Sequence, residues 1–511
     1  MKEFNIQGLC NPNLHYMADI RSKLDEIMAL VDKGKYFIIN RPRQYGKTTT
    51  LELLTKRLRS ENIVLLLSME RVTPKMYASE KAFIEMLYFN FKTELNLDFL
   101  DKMSEIDSFH DFSYFISELV EACDKPVVLL IDEVDKGTNN QVFLDFLSIL
   151  RANYLERTSS GFPTFKSVIL AGVHDVRTLH YQVKGSHKVR ENSPWNIAAP
   201  FEVDMSFSVL EIQSLLEDFL SEHSNVEMDL EFMAEKIRFY TNGYPFLVSY
   251  LCQKMANHLV WTESDLEVAI NEILASENTN FESLIKNLAN HEDLYNLVIQ
   301  ILLNGREFRY ASDAPAIKKG RVYGVLAPGS RGMAKINNPI YEMRIYNYLM
   351  ERMATERFDV LSDYHTASFY RLPGGALNME LALDKYSEYL EGLYDDSQGA
   401  FVEKNARLLL GIFLKTIING IGFFLPESQI ADRLRPDITI TYNRYKYLVE
   451  LKIWRGEAYL EEAKTQLFGY LEREKLDKGY LLVHDFRKGA KRSFTKEEIL
   501  RDGRVILVHY L

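Results

Sequence analysis

The sequence has few cysteines and no long apolar stretch. Its three cysteines, Cys10, Cys123 and Cys252, lie too far apart along the 511 residues to suggest a metal-ligand cluster or a disulfide framework. No run of about 18 apolar residues is present, and the N-terminal residues lack the apolar segment of a secretory signal. These absences favour a soluble protein of a reducing compartment. We expect a cytoplasmic protein that does not enter a membrane.

Internal repeats and low-complexity tracts are also lacking, so ordinary globular domains must account for the length. At about 100–200 residues per domain, the chain has room for three or four domains. The net charge of −11 is uneven, because residues 401–511 contain 20 Lys and Arg against 15 Asp and Glu. The C-terminal part is therefore the better candidate for contact with a polyanion, although a solvated surface has the same composition.

Apolar runs and helical patterns alternate in the first part of the chain. The apolar runs cover residues 35–40, 62–70, 126–135 and 165–175, and one long helical region is predicted over 71–122. Buried strands that alternate with helices predict a mostly parallel sheet covered on both faces.

The later part of the chain changes pattern twice. From about residue 207 the strands stop and the pattern is helical, until a strand pair is predicted within 320–341. Helices with one such pair fit a winged-helix-like region. After a polar linker near 354–375, strands and helices return. The predicted domains cover residues 1–206, 207–265, 266–355 and 376–511.

The segment INRPRQYGKTTTL, residues 39–51, lies between the first predicted strand and a helical pattern. It contains Gly46 for close backbone approach to a phosphate, Lys47 for the β- and γ-phosphates, and Thr48 for Mg²⁺. Arg41 stands where the general pattern has its first glycine. Gly-Lys-Thr alone is a weak signal, since an ordinary strand-to-helix turn also explains it.

Two adjacent acids, Asp132 and Glu133, end the apolar run LLIDEVD. Ligands bind at the carboxyl ends of strands in open α/β sheets. Asp132 is placed to hold Mg²⁺, and Glu133 is placed to orient or deprotonate an attacking water as a catalytic residue. A capped helix start is the alternative. Because both elements occur in this order, we predict a nucleoside triphosphate site.

With these motifs, the first 350 residues resemble the AAA-like ATPases of the STAND and archaeal-type group. Members of that group often carry a basic-Pro-Arg lead-in, as in RPRQYGKT, so the resemblance makes Arg41 an expected departure. It implies an α/β P-loop ATPase core over 1–206, a helical lid over 207–265, and ATP and Mg²⁺ as cofactors. The residues it implies around the nucleotide are Arg43, Gln44, Tyr45, Gly46, Lys47, Thr48, Thr49, Asp132 and Pro245, with Thr48 and Asp132 as metal ligands.

The same resemblance suggests less specific roles. VILAGVHDVRTL resembles the segment that carries the sensor position, TNGYPFLVSYLC resembles the Gly-x-Pro element of the lid, and LHYMADI resembles the segment near the adenine. The corresponding residues are His174 and Asp175, then Gly243 and Pro245, then Tyr16 or Asp19. Tyr16 is equally a candidate for simple packing. Arg177 and Arg190 are candidate arginine fingers, or else surface residues.

The C-terminal part contains a second set of charged residues in RPDITITYNRYKYLVELKIW. The chain between Asp437 and Glu450 is long enough to turn once, so two neighbouring strands would present both carboxylates side by side. Lys452 shares a face with Glu450 because side chains alternate along a strand. Burying this set is costly unless a divalent cation is bound there. A polar edge strand with a Glu–Lys pair is the alternative.

These residues resemble the PD-(D/E)xK nuclease superfamily, in the branch whose next helix carries Gln-x-x-x-Tyr, here Gln466 and Tyr470. The resemblance implies a restriction-endonuclease-like α/β domain over 376–511. It implies Asp437, Glu450, Lys452 and Gln466 as catalytic residues, and Glu403, Asp437 and Glu450 as metal ligands. Glu403 lies in no tight motif and has a helix-start charge as its alternative.

The two resemblances together predict an ATP-regulated, Mg²⁺-dependent nuclease that acts on nucleic acid, with DNA favoured over RNA. The same tandem order is recurrent in bacteria and archaea and suggests defence or mobile-element biology, by analogy only. One alternative is a STAND-type nucleotide switch whose C-terminal domain binds nucleic acid without cutting it. Another is a nuclease whose ATPase part has lost hydrolysis. The sequence leaves open whether the chain forms a homo-oligomer.

Overall fold

The chain forms two compact units. The computed structural model describes residues 2–95, 105–173, 181–182, 189–190, 195–302, 306–311, 313–357, 367–395, 409–411, 413–414, 417–418, 422–426, 436–443, 445–485 and 495–511. The first unit comprises Met1–Ala269 with Val322–Gly324, and the second comprises Ile270–Arg321 with Val325–Leu511.

A four-stranded parallel sheet forms the centre of the first unit. Its strands are β1 (Phe37–Asn40), β2 (Ile63–Ser68), β3 (Val127–Asp132) and β4 (Ser167–Gly172), in the order β1-β4-β3-β2. All six residues of β3 are buried, as expected for an inner strand covered on both faces. The four apolar runs of the sequence therefore form the parallel sheet that they predict.

Helices cover both faces of this sheet. They are α1 (Arg21–Asp32), α2 (Lys47–Leu58), α3 (Glu80–Glu94), α4 (Phe109–Ala122) and α5 (Gln141–Ser160). Apolar side chains of α1 and α2 pack on one face, and those of α3, α4 and α5 pack on the other. A short antiparallel pair follows, β5 (Tyr181–Gln182) with β6 (Val189–Arg190).

The helical region predicted over about 71–122 is confirmed for the described residues, and it contains two separate helices, α3 and α4. A 3₁₀ turn occupies Pro74–Tyr77, and two serine caps then begin separate helices. The Ser79 hydroxyl accepts a hydrogen bond from the Ala82 N–H, and the Ser108 hydroxyl accepts one from the Asp111 N–H. Side-chain caps of this kind satisfy the free N–H groups of a helix start, so they fix where α3 and α4 begin.

The remainder of the first unit is mostly helical. Its elements are α6 (Val209–Glu222), β7 (Glu227–Met228), α7 (Leu230–Thr241), α8 (Pro245–Met255) and β8 (Val260–Trp261), followed by α9 (Glu263–Ala275). β7 pairs with β8 in parallel, so the prediction that strands stop at about 207 is wrong. Strands of two residues are too short to produce a readable alternation.

The second unit begins with helices and one hairpin. Its elements are α10 (Thr279–Asn290), α11 (Glu292–Leu302), α12 (Pro315–Val322), β9 (Leu326–Pro328), β10 (Ala334–Ile336), α13 (Pro339–Arg357) and α14 (Met379–Asp395). β9 and β10 are antiparallel, which confirms the strand pair predicted within 320–341.

A six-stranded mixed sheet forms the C-terminal part of this unit. Its elements are β11 (Gly422–Pro426), β12 (Ile438–Tyr442), β13 (Tyr445–Ile453), α15 (Glu457–Arg473), β14 (Lys478–His484), β15 (Lys496–Arg501) and β16 (Arg504–Tyr510). The order is β11-β12-β13-β14-β16-β15, and only the β13–β14 and β14–β16 pairs are parallel. Leu460, Leu467 and Leu471 of α15 pack on its central strands.

A histidine buried in this sheet makes its stability depend on pH. His484, at the end of β14, is 2% exposed, and burial lowers its pKa from the ordinary 6.5 to about 4. The folded sheet therefore favours neutral imidazole. The contribution of His484 to the free energy of unfolding is fully present above pH 6.5. It is lost progressively as the pH drops from 6.5 towards 4, and the loss is about 2 kcal/mol at pH 5.

We expect His484→Gln to reduce this acid dependence, while His509 of β16, whose pKa burial also lowers to about 4, retains part of it. Urea unfolding of the transition that includes this sheet, measured at pH 7 and pH 5, tests the effect. The matched control is His291→Gln, because the partly exposed His291 lies outside the sheet. An equal loss of stability at pH 5 in His484→Gln and wild type would contradict the expectation.

Candidate nucleotide and metal sites

The segment from Arg41 to Gly46 forms a loop between β1 and α2. Gly46 adopts a left-handed conformation (φ 73°) directly before α2, which begins at Lys47. Gln44 is also left-handed (φ 56°), whereas Arg41 is not. The left-handed region favours glycine, so the geometry of this loop demands a glycine at 46 and not at 41. The N–H groups at the start of α2 are those of an anion-binding helix end.

Arg41 has a structural role. Its guanidinium donates a hydrogen bond to the carbonyl of Val203 at 2.5 Å and lies 5.1 Å from the centre of the Phe201 ring. The backbone N–H of Arg41 donates to the carbonyl of Gly172, at the end of β4. A glycine at position 41 would keep only the backbone contact. Arg41 therefore anchors the start of the loop to two other segments of the first unit.

We expect Arg41→Gly to destabilise the first unit by about 2 kcal/mol, since it leaves the buried Val203 carbonyl unpaired and removes a cation–π contact. In thermal unfolding without nucleotide, the midpoint should fall by roughly 4–8 °C. Arg43→Gly is the matched control, because it adds the same backbone freedom at an exposed position of the same loop. Equal midpoints for the two variants would contradict a structural role for Arg41.

The Lys47 ammonium is held inside the loop. It donates to the carbonyls of Arg41 at 3.0 Å and Pro42 at 2.8 Å, and the residue is 8% exposed. Burial lowers the pKa of Lys47, although the carboxylates of Glu133 and Asp132 oppose that effect. A buried cation at this position is poised to meet phosphate oxygens.

The loop and the end of β3 meet through a hydroxyl–carboxylate hydrogen bond. The Thr48 hydroxyl donates to Asp132 Oδ2 at 2.8 Å, and the N–H of Glu133 donates to Asp132 Oδ1 at 2.8 Å. Asp132 is therefore fixed in orientation. A hydroxyl and a carboxylate at this distance form an oxygen donor pair of the kind that Mg²⁺ prefers. The donor chemistry fits a metal ion that accompanies a triphosphate.

Glu133 has a strained backbone. It adopts the left-handed conformation (φ 55°), which is uncommon for residues other than glycine, and such strain is often found at functional sites. Burial, followed by the charge of Asp132, raises its pKa. A raised pKa brings the carboxyl closer to the pH at which it can exchange a proton with water.

A pocket of about 130 Å³ adjoins the loop. Of the residues predicted around the nucleotide, Gln44, Tyr45, Gly46, Thr49 and Pro245 line it. Residues 5–8 and Cys10 line it as well, a contribution that we did not predict. The Cys10 N–H donates to the Thr49 hydroxyl at 3.2 Å, so the N-terminal segment is tied to α2. Only the turn-forming residues near Gly8 and Asn11 hinted at this segment.

The lid contacts the loop through Tyr244, which precedes α8. The Tyr244 hydroxyl donates to the carbonyl of Arg43 at 2.5 Å, and its ring lies 4.6 Å from that of Tyr45, edge to face. Burial raises the pKa of Tyr45 to about 12. Gly243 leaves no room for a side chain, because a Cβ there would lie 2.1 Å from the carbonyl oxygen of Phe207. Loop and lid are therefore in direct contact.

Of the residues with less specific predicted roles, some lie at the pocket and others do not. Tyr16 lines the pocket, and its hydroxyl lies 3.3 Å from His223 Nδ1, whereas Asp19 pairs with Arg21 outside the pocket lining. Arg190 ends the short strand β6. His174, Asp175, Arg177 and Glu403 lie outside the described residues.

Asp437, Glu450 and Lys452 meet at one point in the second unit. β12 and β13 are antiparallel with Ile438 opposite Val449, so Asp437 falls next to Glu450. The Asp437 N–H donates to Glu450 Oε2 at 3.0 Å. Lys452 Nζ lies 2.6 Å from Glu450 Oε1 and 3.5 Å from Asp437 Oδ2. The turn and the shared face predicted from the spacing are present.

The charges of this cluster are strongly coupled. Glu450 is 2% exposed, and burial together with the neighbouring Asp437 raises its pKa. Burial disfavours the charge of Lys452, but the two carboxylates outweigh that effect and raise its pKa. A divalent cation between the carboxylates would relieve their repulsion, so this oxygen-rich pair fits Mg²⁺.

Other parts of the predicted metal site are less complete. Gln466 is partly exposed on α15, and Tyr470, one turn later, packs in the core of the sheet. Within the described ranges, no group of three or more His, Cys, Asp or Glu side chains is arranged to hold a metal ion. The predicted third carboxylate, Glu403, is not among those residues.

None of the helices described is both long and apolar enough to cross a bilayer.

A phosphate-binding loop after β1 and an acid at the end of β3, on one parallel sheet, define a P-loop nucleotide-binding protein. The family model described as AAA-like domain matches residues 13–318, more than half of the chain. The protein belongs to this AAA-like family of P-loop ATPases. This agrees with the AAA-like P-loop ATPase part of the first resemblance.

The solved structures that match the chain share little sequence with it. The Walker-type ATPase PABY2304 of Pyrococcus abyssi is 14% identical, with 67% of this chain and 99% of that chain covered and a TM-score of 0.44. The RuvB Holliday junction branch migration motor of Thermotoga maritima is 15% identical (68% and 98% covered, TM-score 0.34). Cdc6p of Pyrobaculum aerophilum is 14% identical (69% and 97%, TM-score 0.32). None of the curated proteins matches the chain.

Proposed function

We propose that this protein binds and hydrolyses ATP at the P-loop and thereby controls a metal-dependent nuclease site in its C-terminal sheet. The meeting of Asp437, Glu450 and Lys452 in a chain that also carries an ATPase loop supports this proposal most directly. Nucleic acid, DNA rather than RNA, is the proposed substrate. Defence or mobile-element biology is the proposed context, by analogy with other tandem proteins of this type.

In the ATPase part, the side chains have separate proposed roles. Lys47 binds the β- and γ-phosphates, and Thr48 and Asp132 would hold Mg²⁺. Glu133 orients the attacking water and accepts its proton. Tyr45, Thr49 and Pro245 enclose the remainder of the nucleotide in the pocket. Because Tyr244 of the lid donates to the loop, a change in the loop reaches the lid directly.

In the C-terminal part, Asp437 and Glu450 would hold Mg²⁺, which supplies charge neutralisation and an acidified water at a phosphodiester. Lys452 then has two functions. It stabilises the negative charge that develops on the phosphate, and it positions the water for attack. Its ammonium already lies within 3.5 Å of both carboxylates, so it needs little reorganisation to act there. Gln466 and Glu403 complete the proposed site.

The test is a cleavage assay with the full chain. Plasmid, linear duplex and single-stranded DNA, and RNA, are each incubated with Mg²⁺ or Mn²⁺ in the presence of ATP, ADP or no nucleotide. Metal-dependent cleavage whose rate changes with the nucleotide supports the proposal. Intact nucleic acid under every condition would overturn it.

A second candidate is a nucleotide-dependent switch whose C-terminal domain binds nucleic acid without cutting it. One observation favours it: among the described residues, the cluster provides only two carboxylates, and Lys452 contacts both. This function predicts slow hydrolysis, tight retention of ADP and intact nucleic acid. The same assay, combined with a measurement of ADP release, therefore separates the two functions.

A further inference from the structure

The second unit carries a local concentration of positive charge in one segment. Residues 306–336 contain seven Lys and Arg against two acids, Glu307 and Asp313, in a protein whose net charge is −11. This segment is separate from the nuclease-like cluster in sequence. Local excess of one charge against an opposite background marks a surface that attracts an oppositely charged partner.

The hairpin displays part of this charge. Arg309 bridges to Met333, and the Ala334 N–H donates to the carbonyl of Phe308, so a third extended segment joins β10. Ala334 and Ile336 are buried, and Lys335 lies between them. Because side chains alternate along a strand, Lys335 faces outward, on the side opposite the buried pair.

Arg331 stands at the tip of the hairpin. It is exposed and adopts a left-handed conformation (φ 56°), directly before Gly332. Of the two acids in the segment, Glu307 precedes the joined strand and Asp313 precedes α12, so neither belongs to the tip.

Helix α12 carries the remaining charge beside the hairpin. Ile317 and Gly320 are its buried residues, and a Cβ at Gly320 would lie 2.4 Å from Cδ1 of Leu326, in β9. The helix therefore packs closely on the base of the hairpin. Lys318 and Arg321 are three positions apart on α12, and Arg321 is exposed while Lys318 is partly exposed. Lys319 is already paired with Asp293.

We propose that the hairpin and α12 form a docking surface for the phosphate backbone of double-stranded DNA. The basic surface consists of Arg309, Lys318, Arg321, Arg331 and Lys335. A short helix beside an exposed arginine matches two features of a duplex, a groove that admits a helix and a narrow groove that attracts arginine. Contacts of this kind hold the duplex without reading its sequence. The proposal deepens the proposed function by naming where its substrate is held.

The test measures binding, without cleavage. Fluorescence anisotropy of the full chain in EDTA, with short duplexes of unrelated sequence, gives the affinity between ~50 and ~200 mM salt. The variant replaces Arg309, Lys318, Arg321 and Arg331 by Gln. We expect at least about 100-fold weaker binding at the lower salt, and a salt slope reduced by about 3.6, since each of the four lost phosphate contacts removes about 0.9.

Two further variants test whether weaker binding results from lost charge on this surface, and not from misfolding or from lost charge elsewhere. Replacing Arg309, Arg321 and Arg331 by Lys should retain most of the affinity. Replacing the exposed Lys33, Lys35, Arg71 and Lys75 of the first unit by Gln should change it little. The proposal would be overturned if the Gln changes in the first unit weakened binding as much as those in the basic surface. It would also be overturned if the Gln changes in the basic surface left binding unchanged. Competition by polyglutamate as effective as by duplex would assign the surface to an acidic protein instead.

The failure of this proposal and the failure of the proposed function give different results. If the wild-type chain binds duplex through the basic surface but never cuts it, the nuclease proposal fails and the docking surface stands. If the chain cuts duplex equally well in wild type and in the Gln variant at limiting DNA, the nuclease stands and the docking surface fails.

Discussion

Removing the ammonium of Lys452 should reduce nucleic-acid cleavage by about 100- to 1000-fold. The ammonium contacts both Glu450 and Asp437, and it is the described cation closest to them. Loss of a positioned charge at a phosphoryl centre acts on the transition state, so the rate constant should fall more than the affinity for nucleic acid. Cleavage and binding are measured in parallel on Lys452→Met, which retains much of the side chain's volume.

Lys446→Met is the matched control for this prediction. Lys446 lies on the same strand, β13, and forms its own ion pair with Glu474 at 3.0 Å. It therefore reports the effect of losing a lysine and an ion pair without touching the cluster. Urea unfolding of the transition that includes the C-terminal sheet checks that both variants fold, because both lysines lie in the second unit. Cleavage by Lys452→Met within tenfold of the control would show that the cluster is not catalytic.

The second large effect is expected at Lys47. Lys47→Met should abolish measurable ATP hydrolysis, with a loss of at least about 100-fold, because no other side chain of the loop supplies a buried cation to the phosphates. Phosphate release and nucleotide binding are the measurements. Lys56→Met is the control, since Lys56 lies on the same helix α2 and pairs with Glu52 at the surface.

The same variant tests whether the two sites are coupled. If the nucleotide controls cleavage, Lys47→Met should cut nucleic acid at one rate with ATP, ADP or no nucleotide, while the wild type responds to each. Coupling is rejected if the wild type itself cuts at one rate in all three conditions. A variant that loses hydrolysis but still responds to bound ATP would assign control to binding alone.

Local patterns predicted the parts of the structure that depend on neighbouring residues. The four apolar runs became β1 to β4, because a buried parallel strand needs a continuous apolar sequence. The meeting of Asp437 with Glu450 followed from the length of one turn and the period of a strand. Thr48 and Asp132 meet because both follow strands of one sheet at its carboxyl edge.

Features that depend on distant partners could not be predicted in this way. Arg41 bonds to Val203, 162 residues later, and no local pattern indicates that contact. Strand β15 is mostly exposed and polar, so its sequence shows no alternation, and it is a strand only because β16 pairs with it. The strand pair β7 and β8 is likewise defined by its partner. The contribution of Cys10 to the pocket depends on Thr49 in α2.

The two residues joined by the hydrogen bond from Tyr244 to the loop should differ in their sensitivity to mutation. Its acceptor is the main-chain carbonyl of Arg43, which every amino acid possesses, so side-chain changes at position 43 leave the bond intact. Its donor is a single hydroxyl that no other residue of the lid replaces in this contact. The side chain at position 43 can therefore change without loss of this connection to the lid, whereas Arg41 and Gly46 of the same loop are held by their own contacts and conformation. That connection stays dependent on one side chain, so random mutagenesis should tolerate many residues at position 43 and few at position 244.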